Sequence, residues 1–150
     1  MKGKLIRSIF WALVGVFVVS VGIMVSAPLL LPTLQRVYMG FLFSSGALFL
    51  SLGITFLVLT IKGKTKGISR KFQLLIGASA VGIPISAILH NAIYALFILW
   101  QGEGFWERIG LGDEPVFFII AIIVCPIGFL VGVVGSIVLT KKKSRQQSVA

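Results

Sequence analysis

Four long apolar runs, residues 9–31, 37–61, 72–100 and 116–139, account for most of the 150-residue chain. Each is at least as long as the roughly 20 residues a helix needs to cross a hydrocarbon core. A water-soluble fold of this size cannot hide so much apolar surface, because its core saturates while its exterior must stay wetted. The composition agrees, at 57% hydrophobic residues with a mean hydropathy of +1.06. Lipid offers backbone amides no hydrogen-bond partner, so each run has to satisfy its own as a helix. The sequence therefore predicts an all-α, polytopic integral membrane protein, with four transmembrane helices in an antiparallel bundle forming a single membrane domain over 1–150.

The charges set the orientation. Three basic residues precede the first run (Lys2, Lys4, Arg7), five fill the loop 62–71 (Lys62, Lys64, Lys66, Arg70, Lys71) and four occupy the tail 140–150 (Lys141, Lys142, Lys143, Arg145). The two opposite connections carry one each, Arg36 and Arg108. Positive charge accumulates on the cytoplasmic side of membranes, so both termini are expected there, in a cell membrane. The net charge of +10 reads as topology; nucleic acid is not an expected partner, because the basic residues flank apolar runs without interleaved aromatics. The first run also has features of a leader peptide, with small residues Val25, Ser26 and Ala27. Its length and Pro28 favour a retained span that ends at Pro28 and Pro32, followed by a tight turn over 33–36.

Within 72–100, Ala78, Gly82, Ser86 and His90 recur at four-residue spacing, with Pro84 among them as a possible bend. His90 is the only histidine, and with Asn91 it is the most polar point in any apolar run. Ser86, His90 and Asn91 form the candidate intramembrane polar site, since polar groups at membrane depth are costly and often functional. No second histidine accompanies His90, and the lone Cys125 lies in another run, so no metal or cofactor is expected. The expected role of His90 is a hydrogen bond between helices.

Small residues mark the expected contacts. Gly40, Ser44, Ala47 and Ser51 recur along the second run, Ala78 and Gly82 along the third, and Gly128, Gly132 and Ser136 along the fourth. In lipid, helices associate by close packing, which small residues permit. Cys125 is expected to be a packing residue as well.

The outer connection 101–115 holds every carboxylate side chain, Glu103, Glu107, Asp113 and Glu114. Their spacing fits no calcium loop and reads as a solvated surface, with aromatic Phe105 and Trp106 turned to the membrane. Asp113 ahead of Glu114 and Pro115 reads as the cap of the last helix. No phosphate-binding loop, dinucleotide fingerprint, zinc-protease motif or nucleophile elbow occurs, so no enzymatic activity is expected. Two functions fit: a structural or accessory subunit that packs by small-residue faces in the bilayer, as a homo-oligomer or in a larger complex, or a small solute or ion transporter or lysis-like pore with its path near Ser86, His90 and Asn91.

Overall fold

The computed structural model describes residues 2–26, 35–63 and 66–147, which are helical apart from short turns and include no strand. The elements are α1 (Lys2–Ser26), α2 (Gln35–Lys62), α3 (Ile68–Gln101), a single turn α4 (Phe105–Arg108), α5 (Pro115–Ile119), a π-helical stretch (Ile120–Val124) and α6 (Cys125–Gln147). Four segments are long and apolar enough to cross a membrane: Lys4–Ser26, Val37–Lys62, Ile68–Gln101 and Pro115–Gln146. The prolines expected to end the first span, and most of the turn after it, lie outside the described residues. Gln35 and Arg36, expected in that turn, already belong to α2. The basic tail is helical as far as Gln147.

Glycines end the helices where the chain must leave helical geometry. Gly67 (φ 70°) precedes α3 and Gly102 (φ 85°) follows it, with the Gly102 N–H donating to the Ile98 carbonyl. Positive φ is cheap only for glycine, so these positions stop the helix cleanly. Pro84 lies inside α3, which continues unbroken on both sides. In the last span the accommodation of proline is visible. The Cys125 N–H reaches back to the Ile120 oxygen, a π-type bond directly before Pro126. Proline has no N–H to offer the preceding turn, and one wider turn lets the rod continue past it.

α3 packs on α2 and on α6 at once, and glycine sets the distance on both sides. A methyl built on Gly53 would lie 3.0 Å from Ala80 Cβ, and one on Gly77 would lie 3.2 Å from the Leu57 Cα. Toward α6, a methyl on Gly132 would come within 3.1 Å of both the Ile76 nitrogen and the Phe72 oxygen, and one on Gly128 within 2.7 Å of Ser79 Oγ. Backbones approach closely here because no side chain stands between them. Beside this seam, Phe129 of α6 gathers Phe17 of α1 at 4.7 Å and Phe49 of α2 at 5.5 Å between ring centroids. With Leu13, Phe56, Ile76, Ala80 and Val133 these rings form the core. Gly15, Gly22, Gly40 and Gly46 meet nothing within 4 Å, so the tight crossings belong to the half of the bundle near the basic loop.

Candidate functional site

His90 projects from α3 onto the start of α5. Its Nδ1 donates to the backbone carbonyl of Glu114 at 3.0 Å and lies 3.4 Å from the carboxylate Oε2 of the same residue. The donor role follows because a carbonyl oxygen only accepts. On the other side of the ring, Nε2 stands 3.4 Å from Asp113 Oδ2. The Phe118 ring closes the site at 5.5 Å between centroids.

Glu114, not Asp113, caps the last span. Its Oε1 accepts from the Val116 N–H at 2.8 Å and its Oε2 from the Phe117 N–H at 3.0 Å, with Pro115 in the first helical position. Asp113 instead accepts the Glu114 N–H at 2.7 Å and so fixes the approach to the cap. A helix start leaves several N–H groups without partners, and a carboxylate there is favoured by both hydrogen bonding and the helix dipole. Glu114 is 4% exposed, which corrects the reading of all four acids as a solvated surface. Glu103, Glu107 and Asp113 are exposed as expected. The reason is hydrogen bonding: the Glu114 carboxylate turns inward to accept from the Val116 and Phe117 amides, and its carbonyl meets His90.

The three residues of the candidate polar site do not converge. Ser86 is buried, His90 reaches Glu114, and Asn91 is exposed, donating from Nδ2 to the Ala87 oxygen at 2.8 Å on its own helix. Neighbouring residues on a helix point about 100° apart, so His90 and Asn91 cannot serve one site. Among the described residues no three His, Cys, Asp or Glu side chains are grouped to hold a metal.

The candidate packing residues divide in a similar way. Gly82 faces Cys125, whose Sγ lies 2.7 Å from where a methyl on Gly82 would stand, and Gly128 and Gly132 face Ser79 and Ile76. Ala78 is exposed. A strict four-residue step drifts about 40° per interval on a 3.6-residue helix, and the contact line through Ile76, Ser79, Gly82 and Ser86 avoids that drift by mixing threes and fours. On α6 it is Gly135 that meets the Phe72 ring, while Ser136 Oγ is buried without a hydrogen-bond partner.

The connection over 102–114 folds back on α3. Trp106 of α4 is buried, stacks on Tyr94 at 6.0 Å, and donates from Nε1 to the Tyr94 oxygen at 3.3 Å. Phe105 stacks on Phe97 at 5.1 Å. Arg108 closes the end of α3 by donating to the Gln101 oxygen at 2.8 Å. The expected aromatic turn is therefore docked on protein through Trp106.

On α2 the small stripe faces outward. Gly40, Ser44, Ala47 and Ser51 are all exposed, and so is Thr55 in line with them. Ser44 donates to the Gly40 oxygen, Ser51 to the Ala47 oxygen and Thr55 to the Ser51 oxygen, each at 2.8 Å. The hydroxyls are thus satisfied within the helix and leave a shallow, smooth face.

Among the described residues these features define a helical chain with four segments of membrane-crossing length and a polar link, through His90, between the third and the start of the last. No known family matches the chain, and neither does any curated protein or solved structure.

Proposed function

We propose that the chain is a non-enzymatic, multi-pass membrane protein of four antiparallel spans with both termini cytoplasmic, acting as a structural or accessory subunit. It packs one helix face against a second copy or a larger membrane complex. The antiparallel arrangement is supported by the contacts of α3, whose later residues meet earlier residues of both α2 and α6. The orientation rests on the distribution of Lys and Arg.

The observation that carries this reading is the exposed small face of α2. The glycines of α3 and α6 are used up inside the bundle, whereas Gly40 meets nothing within 4 Å and its stripe lies open. Small residues let a neighbouring helix approach closely enough for dispersion contacts that lipid tails do not match. Cysteines at Ser44 or Ser51, in a Cys125→Ala background, should crosslink in native membranes to a discrete partner or second copy. A cysteine at Val131, exposed on α6, serves as the control. Crosslinking no stronger at Ser44 than at Val131 would reject the α2 face as the docking surface.

One observation favours a second reading, a small solute or ion transporter or pore, now with its path near His90 and without Asn91: a buried carboxylate, Glu114, lies beside His90. Ionisable groups at membrane depth often mark such paths. Flux in reconstituted vesicles that falls on His90→Leu supports it, and flux no greater than in protein-free vesicles removes it.

A further inference from the structure

α2 and α3 touch at one level and part at the next. A methyl built on Gly53 would stand 3.0 Å from the Ala80 Cβ, and one on Gly77 3.2 Å from the Leu57 Cα, so the helices cross in contact there. Gly46 precedes Gly53 by seven residues, close to two turns, and lies on the same side of α2. It meets nothing within 4 Å. On α3, Ala87 and Asn91 follow Ala80 by seven and 11 residues, close to two and three turns, and so share its face. Gly77 and Ala80 are buried, whereas Ala87 and Asn91 are exposed. The helices therefore diverge from the contact of Gly53 with Ala80 and leave a wedge open between them.

The wedge is closed again at its far end. Tyr94 and Phe97, farther along the same face of α3, are covered by Trp106 at 6.0 Å and Phe105 at 5.1 Å between ring centroids. The open stretch from Ala80 to Asn91 is about 16 Å of helix. One leaflet's share of a hydrocarbon core about 30 Å thick is about 15 Å. The depth agrees as well. Asn91 lies 20 residues beyond Lys71, about 30 Å, which sets it at the core boundary away from the basic loop.

The walls match one kind of occupant. No Asp, Glu, Lys or Arg occurs on α2 from Val37 to Ile61 or on α3 from Phe72 to Trp100, and His90 is turned to Glu114. The wedge thus offers a charged group no counter-charge and suits hydrocarbon. Asn91 stands at its mouth. The Nδ2 of Asn91 donates one N–H to the Ala87 oxygen at 2.8 Å, and among the described residues the carboxamide makes no other hydrogen bond. Its second N–H remains to be given. An uncharged donor at the head of an apolar slot is matched by an uncharged acceptor at the head of an alkyl chain, which is the ester carbonyl of a glycerolipid.

We propose that the wedge between α2 and α3 binds one diacyl glycerolipid from the leaflet away from the basic loop. One acyl chain lies between Gly46 and Ala87, ending at the contact of Gly53 with Ala80, and an ester carbonyl accepts from Asn91. The test uses the full chain in a maltoside detergent, with dioleoyl phosphatidylethanolamine and its diether analogue added separately and retention read by native mass spectrometry. The wild type should hold one diester lipid per chain and bind the diether, which lacks the carbonyls, about fivefold more weakly, the order expected for one neutral hydrogen bond. Asn91→Leu should bind both lipids equally, at the level of the diether on the wild type. Gly46→Leu fills the wedge and should abolish retention; because it replaces glycine within a helix and enters open space, without lipid it should melt no lower than the wild type. A wild type that retains no lipid at one per chain, retention undiminished in Gly46→Leu, or equal binding of diester and diether by the wild type would overturn the proposal.

Discussion

His90 Nδ1 and the carbonyl oxygen of Glu114 lie 3.0 Å apart, joining residues separated by 24 positions and the single turn α4. The bond ties the third long helix to the cap of the fourth, so the entry of the last span is fixed by α3 and not by its own loop alone. Replacing His90 with Ala should cost about 1–3 kcal/mol, because it strands acceptors in a part-buried site. Unfolding in mild detergent measures this. An unchanged midpoint would mean that the contact carries no stability.

Glu114 has two tasks, capping α5 and receiving His90. Glu114→Ala removes the acceptor for the Val116 and Phe117 amides and should cost about 1–2 kcal/mol from the cap alone. Glu114→Gln keeps one carbonyl oxygen and should cost less. Thermal melting of the two variants side by side checks the order, and the reverse order would contradict the capping role.

Gly132 and Gly40 provide a paired test of the α3–α6 seam. A methyl at Gly132 meets backbone atoms of Ile76 and Phe72 at 3.1 Å, which cannot move aside as a side-chain tip would. Gly132→Ala should destabilise by about 1–3 kcal/mol through overpacking. Gly40→Ala enters open space and should be neutral or stabilising by up to about 1 kcal/mol, the usual gain of Ala over Gly within a helix. Equal melting temperatures for the two variants would mean that the seam is not tightly packed.

Trp106 anchors the acidic connection to α3. Trp106→Ala should cost about 3–5 kcal/mol if its burial is coupled to the whole fold. If α4 opens on its own, the loss instead appears as local protease sensitivity near Gly102 and Gly104, with the global melting temperature unchanged. Limited proteolysis beside thermal melting separates these cases. No change in either would show that the Tyr94 and Phe97 contacts do not hold α4.

The long helices were legible in the sequence because the bilayer imposes one length and one polarity on anything that crosses it. The close contacts of Gly82, Gly128 and Gly132 follow from the same physics, since only small residues permit such crossings. The partner of His90 was not legible. Asp113 and Glu114 carry a recognisable helix-start signal, but which of two adjacent carboxylates turns inward depends on the approach to Pro115 and on α3, and neither leaves a trace in local spacing. Ala78 illustrates a different limit: a four-residue step marks a helix face only over a turn or two before it drifts off. The outward direction of the α2 stripe depends on which face its neighbours take, and α2 is apolar all round, so hydrophobic patterning gives no preferred side.

The most direct measurement of the proposed role is native mass spectrometry of the chain extracted in mild detergent, wild type beside the double variant Gly40→Ile with Ser44→Leu. Both substitutions fall on the exposed α2 face and leave the α3–α6 seam untouched. The wild type should be recovered as an oligomer or with a stably bound protein partner, and the variant as a monomer with unchanged helix content, melting lower only by what the lost partner contributed. A wild type that is monodisperse, monomeric and without a bound protein would contradict the account.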